Sequence, residues 1–470
     1  MTIAASRPAT PGPAIHAPVP AGARPAVTRD RSIDAVRSTL LVTVVALHAM
    51  MVGVSVSTAG PVLENAMENQ TWFAPASWAV QVMPLFFIVG GFSSITQWRG
   101  LRARGTTASA YVRTRIDRLV RPAIALVAVV GAALLAMAPA GVPADIVATA
   151  GYRIGQPMWF LGVYILCSSL VPLMARAHER ARVATPLLLL AAVLAVDAVR
   201  LSSGLDAIGF LNLLFVWLLV QQLGFWLADG SVEALGRGAR LGVLGAALAV
   251  LLVLTAGPYS PDMLVNLNPP TVCLVALGVA QLLVFSLLRP RFAALAEHTV
   301  YGRVIDALGR TGMTVYLWHM PVLIGLAALL LALEAAAGVP LPEPLGAEWW
   351  AGRPFWLVVV AVAVVPVVAL FARFERGRGM PGGRGGRGGR GGRGGRGGTG
   401  GAGDARFAAL DTLLGAGGVA LVLVAGFGVV PATIALLVLL CSLVGTSRIA
   451  SLPRMSFRRT TRLAPAVDVA

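Results

Sequence analysis

The sequence contains no lysine, and all 38 of its basic residues are arginine. The base composition of a gene can impose such a bias, so arginine abundance alone says nothing about partners. Charge is scarce altogether, at 13% of residues, where a soluble domain carries roughly 25%. That scarcity excludes an ordinary soluble fold. Only three cysteines occur, Cys167, Cys273 and Cys441, each inside an apolar stretch and none in CxxC spacing. A disulfide framework is thereby excluded, and such thiols behave as small hydrophobes. The five histidines are scattered, without ligand spacing to one another or to a carboxylate, so no metal site is expected. Residues 1–28 are rich in Pro and Ala and lack the apolar core of a signal peptide. The first membrane helix is therefore expected to act as the targeting signal.

What is present is apolar sequence in long blocks. Hydrophobic residues make up 57% of the chain, and the mean hydropathy is +0.78. The blocks are about 18–22 residues long, enough to cross ~30 Å of hydrocarbon as helix. Ten are expected, at 38–57, 77–97, 121–140, 157–175, 183–201, 209–228, 240–257, 270–288, 311–334 and 354–373. Arginines crowd alternate connections: Arg24, Arg29, Arg31 and Arg37 before the first block, and seven from Arg99 to Arg121 between the second and third. The intervening connections carry Glu64, Glu68, Asp145, Asp262, Glu343 and Glu348 instead. By the positive-inside rule the arginine-rich side is cytoplasmic, which supports an even number of spans and places both termini in the cytoplasm. A cytoplasmic (inner) membrane of bacterial type is the expected location.

The fold expected is all-α, a polytopic transmembrane bundle of about ten core helices plus a C-terminal membrane hairpin. Residues 1–28 are read as a disordered N-terminus, 29–375 as the main membrane domain, and 376–405 as a linker built on Gly-Gly-Arg units. Residues 406–447 form the extra hairpin, and 448–470 a basic cytoplasmic tail. The Gly-Gly-Arg tract is similar to the RGG segments of RNA-binding proteins but has no interleaved aromatics. Nucleic acid is not an expected partner; a plain linker, or contact with anionic lipid, suits the composition better.

Ionisable groups inside spans are costly and draw attention first. His48 lies eleven residues after Arg37, close to three helical turns, so the two point the same way ~16 Å apart along the axis. That puts a cation near the interface and a proton acceptor deeper on one face, an arrangement suited to an anionic donor entering from the cytoplasm. A structural histidine and a snorkelling arginine would look the same. Asp197, Asn212, Gln221, Gln222 and Gln281 are expected to hydrogen-bond between helices. Trp159 suits an interfacial aromatic belt or an acceptor cavity. The connection Tyr259–Pro270, with Asp262, Asn266 and Asn268, reads either as an acceptor contact or as a turn.

The run Arg29-Asp-Arg-Ser-Ile-Asp-Ala-Val-Arg37, then ten residues, then His48, resembles the opening helix of the acyltransferase 3 family of membrane acyltransferases. Four further segments resemble that family and occur in its order: Gln81–Phe92, Tyr111–Pro122 with its Arg-x-Arg run, Pro157–Leu161, and Thr314–Pro321 with its Tyr-Leu-x-His element. Asp34-Ala-Val-Arg37 departs from the usual Asp-Gly-Leu-Arg but keeps both charges. Gly90 replaces the serine of Phe-Phe-x-x-Ser-Gly-Phe, so no role for that hydroxyl carries over. The resemblance implies an O-acyltransferase moving a short acyl group from acyl-CoA, acetyl-CoA above all, to a carbohydrate-type hydroxyl. It implies His48 as catalytic residue and Arg37, Arg113 and Arg115 near the donor, with Asp34, Trp159 and His319 as supporting or acceptor-side candidates. Direct transfer and an acyl-histidine intermediate both remain open. Acyl-CoA is a co-substrate, with no bound cofactor expected; the lipid bilayer is the remaining partner. A transporter without acyl-transfer chemistry is the rival reading, weakened by the absence of a convincing internal repeat.

Overall fold

A computed structural model describes residues 30–57, 60–68, 70–137, 139–375 and 402–451. The N-terminal Pro/Ala tract, the Gly-Gly-Arg units and most of the basic tail lie outside the described residues. The chain begins with α1 (Arg31–Met51), a hairpin of β1 (Val52–Ser57) and β2 (Gly60–Asn65), α2 (Phe73–Val80) and α3 (Met83–Arg102). Next come α4 (Ala108–Met137), α5 (Ala144–Gly155), α6 (Met158–Arg180), α7 (Ala184–Ser203), the single turn α8 (Asp206–Gly209) and α9 (Asn212–Ala228). Then follow α10 (Arg237–Ala256), α11 (Val272–Glu297), α12 (Thr299–Ala337), α13 (Ala347–Glu375), α14 (Ala402–Ala425) and α15 (Val429–Ser451). Among the described residues, 11 helical stretches are long and apolar enough to cross a membrane, ten of them up to Glu375, and Val429–Leu443 is a shorter apolar helix. The protein is a polytopic helical bundle: ten core spans with a further apolar hairpin.

Two expectations are adjusted. The first block does not stay helical to residue 57: α1 stops at Met51, and Val-Gly-Val-Ser-Val-Ser alternates as β1, pairing antiparallel with β2 from Val52 opposite Asn65 to Ser57 opposite Gly60. The alternation of β-branched and small residues suits a strand, and the freed Ala49 carbonyl at the helix end accepts from Trp356 Nε1 of α13 at 2.9 Å. Secondly, α14 already begins at Ala402, inside the stretch read as linker.

The arginine-rich connections do share one end of the bundle. Arg31 pairs with Asp306 at 2.6 Å, Arg99 with Asp229 at 2.6 Å, and Arg102 with Glu179 at 2.9 Å. Arg289 joins Asp30 and Glu233. Asp229 also takes a hydrogen bond from the buried His178 ring at 2.9 Å. At the other end, the connection after α10 is tied down rather than open. Trp78 Nε1 donates to the Pro261 carbonyl at 2.8 Å, and Asn266 donates to the carbonyls of Ser260 and Asp262 at 2.7 and 2.9 Å. Asn266 and Asp262 thus spend their polar groups on the turn itself.

Polar residues inside the spans link helices, as expected of them. Asn212 donates to Asp197 at 2.9 Å, Gln221 to the Cys167 carbonyl at 3.2 Å, and Gln281 to the Gln81 carbonyl at 2.8 Å. Gln222 meets His178 at 2.9 Å. Packing is closest between α3 and α9. A side chain at Gly224 would place its Cβ 2.0 Å from the Ile88 carbonyl oxygen, and one at Gly91 would meet the Gln221 carbonyl at 2.5 Å. The two glycines let the backbones touch in the manner of small-residue membrane interfaces.

Candidate functional site

The site is organised by α1 and α12. Asp30 caps α1, its carboxylate accepting from the Ser32 and Ile33 amides at 3.0 and 3.4 Å. This satisfies orphan amides of the first turn. Burial alone would raise the Asp30 pKa, but hydrogen bonds from Ser32 and Arg289, with the arginine's charge, hold it below the ordinary value. Arg31, besides Asp306, donates to the Ala296 carbonyl at 2.9 Å. Asp30 and Arg31 therefore clamp α1 to α11 and α12. Farther along, Leu41 packs where Gly312 has no side chain, 3.6 Å from the position a Cβ would take. Seven residues on along each helix, His48 meets His319.

His48 Nδ1 lies 2.8 Å from His319 Nε2, with ring planes 8° apart. His319 Nδ1 lies 2.6 Å from the Tyr316 carbonyl oxygen. A carbonyl only accepts, so His319 Nδ1 carries a proton. In a neutral His319, Nε2 is then the acceptor, and His48 Nδ1 must donate to it. That leaves the lone pair of His48 on Nε2. One backbone carbonyl thus sets the tautomer of two rings in series. His319 is fully buried, and its ring sits 5.8 Å from that of Tyr316. The Tyr316 hydroxyl donates to the Pro157 carbonyl of the turn before α6.

Tyr316 also lines a cavity of about 210 Å³ whose wall includes Arg37, Arg115, Arg118, Ser93 and Glu375. Arg37 donates to Ser93 Oγ at 2.7 Å. Arg115 donates from Nε to the Tyr111 hydroxyl at 3.2 Å and from Nη2 to Gln97. Among the described residues, the hydrogen bonds of both guanidiniums go to neutral partners, and the Glu375 carboxylate lines the same cavity. Glu375, the last residue of α13 and 7% exposed, accepts from the Thr314 amide at 3.0 Å and hydroxyl at 2.7 Å. It fixes α12 just ahead of Tyr316 and His319.

Of the expected residues, Arg37 and Arg115 line this cavity, while His48 and His319 form their pair off its wall, joined to it through Tyr316. Arg113 does not: it turns to α14, donating to the Asp404 carbonyl at 3.4 Å, with the Asp404 carboxylate at 3.8 Å. Residues two apart on a helix differ by about 200° in direction, so Arg113 and Arg115 serve different neighbours. Trp159 packs against the buried Trp217, ring centroids 5.7 Å apart, rather than lining the cavity. Asp34 stays half-buried in the first turn of α1, also off the cavity wall. Residues not singled out from sequence are Ser93, Gln97, Arg118, Tyr316 and Glu375. Ser93 lies one turn beyond Gly90, so a hydroxyl is supplied to Arg37 from a position next to the motif. No group of histidine, cysteine and acidic residues suited to a metal ion occurs among the described residues.

A half-buried His48 paired with a fully buried His319, joined through Tyr316 to an arginine-lined cavity, places ionisable groups inside a bundle of ten core spans. The acyltransferase domain of the acyltransferase 3 family matches residues 30–373. The chain belongs to that family and is a membrane-embedded acyltransferase. The transporter reading falls with this membership. No curated protein and no solved structure matches the chain.

Proposed function

We propose that the protein transfers a short acyl group from acyl-CoA to a hydroxyl of a carbohydrate-type acceptor. The observation that carries this reading is the hydrogen-bond series from the Tyr316 carbonyl through His319 to His48, beside a cavity holding three arginines. His48 Nε2 takes the acceptor hydroxyl's proton as the oxygen attacks the thioester carbonyl. A C–O bond forms, the C–S bond breaks, and the proton passes from His48 to the departing CoA sulfur. His319 accepts from His48 Nδ1 throughout and steadies the imidazolium as it forms. Arg37, Arg115 and Arg118 take the donor's phosphates, for which guanidinium forks are suited. Arg118 thus fills the role first given to Arg113. The arginine-rich end faces the cytoplasm by the positive-inside rule, and acyl-CoA enters there.

The test is release of free CoA from acetyl-CoA by the protein in nanodiscs, with an acceptor extract from the native host. Wild type is compared with His48→Ala and Arg37→Ala. Turnover in wild type that drops at least about 100-fold in His48→Ala, with Arg37→Ala raising the KM for acetyl-CoA, supports the reading. Equal, background-level release from all three would overturn it.

A further inference from the structure

Arg353 is out of place by its charge. It lies near the start of α13, just after Glu343 and Glu348, at the end of the bundle where the positive-inside rule puts few arginines. Trp349, Arg353 and Trp356 follow at i, i+4 and i+7, so one face of α13 presents an indole, a guanidinium and a second indole. The guanidinium carbon lies 3.6 Å from the centre of the Trp349 ring, a residue 1% exposed, and 5.7 Å from that of Trp356. Stacking of this kind holds the planar fork in one direction.

That direction is the end of α1. The last carbonyls of a helix have no donor within it, and the final turn of α1 is the one that carries His48. Trp356 Nε1 donates to the Ala49 carbonyl at 2.9 Å, and Arg353 Nη1 reaches the Ala49 and Val52 carbonyls at 3.5 and 3.4 Å. Among the described residues the Arg353 charge thus meets carbonyls and indole faces rather than a carboxylate. A cation also suits the negative end of a helix dipole. The turn so held has one exacting contact, the 2.8 Å approach of His48 Nδ1 to His319 Nε2. A ring ~6 Å from the helix axis moves by ~1 Å when the helix rotates by ~10°. A shift of that size breaks a hydrogen bond.

We propose that Arg353 and Trp356 are positioning residues for His48: by holding the Ala49 carbonyl they set the rotation of the last turn of α1 and aim its ring at His319. Neither lines the arginine cavity, so donor binding is left to other groups. The expected effect on turnover rests on the acyl-transfer reading, whereas the effect on the histidine pair does not.

The test uses the full chain in nanodiscs, with isotope-labelled histidine. Magnetic resonance reads the nitrogen–nitrogen coupling across the His48–His319 hydrogen bond, assigned by its loss in His319→Ala, and CoA release from acetyl-CoA is measured in parallel. Trp356→Phe keeps a ring and removes the donor. The coupling should be lost in Trp356→Phe and in Arg353→Ala, and recovered in part in Arg353→Lys. In Trp356→Phe, kcat should fall about tenfold while the KM for acetyl-CoA stays within about twofold. Placed on His319→Ala, the same substitution should cost less than about twofold more, because the pair it serves is already gone. An unchanged coupling in Trp356→Phe, or an equal fall in kcat with and without His319, would overturn the proposal. Loss of the coupling with no CoA release even from wild type would retain the positioning of His48 and count against the acyl-transfer reading instead.

Discussion

At the scale of single residues, the histidine pair makes unequal demands on its members. His319→Ala removes the acceptor for His48 Nδ1 and frees the tautomer. A fall in kcat of about 100-fold is expected, with the KM for acyl-CoA unchanged. His319→Gln, which keeps an acceptor oxygen, should recover part of that loss; steady-state kinetics on the three proteins decides it. The arginines divide by direction. Arg115→Lys, losing the fork aimed by Tyr111 and Gln97, should raise the KM for acyl-CoA roughly tenfold, while Arg113→Ala leaves it within about twofold and lowers the melting temperature. Spacing and resemblance single out His48, Arg37 and Arg115 as candidates; the structure puts Arg37 and Arg115 on the cavity wall and His48 against His319. Helical geometry alone would have separated Arg113 from Arg115. Glu375 was hidden because its value lies in meeting Thr314, 61 residues away along the chain. No local pattern announces such a contact.

Elements show a different balance. The ten core spans follow from hydropathy because the bilayer imposes length and polarity on each helix separately. The end of α1 was harder: the apolar block runs on through Val52 and Val54, and only the alternation with Gly53 and Ser55 marks the strand. At α3 and α9, Gly91 and Gly224 hold two backbones in contact. Gly224→Ala forces its Cβ against the Ile88 carbonyl, so the helices must part, with a cost of about 3 kcal/mol expected. Thermal unfolding in detergent should show it as an early transition. Acid should loosen the arginine-rich end as well. Asp229 is held below the ordinary aspartate value: burial pushes its pKa up, but hydrogen bonds from Arg99 and His178 outweigh that. Asp30 is lowered likewise. A lowered native pKa means the stabilisation is complete above the unfolded value of about 3.9 and is lost as pH falls through the native one. Melting temperatures should therefore hold down to about pH 4 and drop below it, less steeply in Asp30→Asn.

On the scale of the whole molecule, the hairpin of α14 and α15 is fitted to the core, although the family match ends before it at residue 373. Val419 and Phe427 of this hairpin approach Gly162, Gly151 and Gly155 of α6 and α5 at 3.4–3.6 Å from where their Cβ atoms would be. Asp404 holds Arg113 of α4, the helix that also carries Arg115. Because Asp404 is 41% exposed on its side chain, Asp404→Ala should cost at most about 1 kcal/mol. Chains ending at residue 375 should lose far more, seen as aggregation during size-exclusion chromatography.

The pairing of His48 with His319 joins positions 271 residues apart, in the first helix of the family domain and in its penultimate one. During synthesis the proposed base enters the bilayer at the outset and waits through eight further spans for its partner. A prematurely terminated chain therefore carries an unoriented histidine and no competent centre. On the proposed mechanism, acyl transfer therefore begins only once insertion is almost finished.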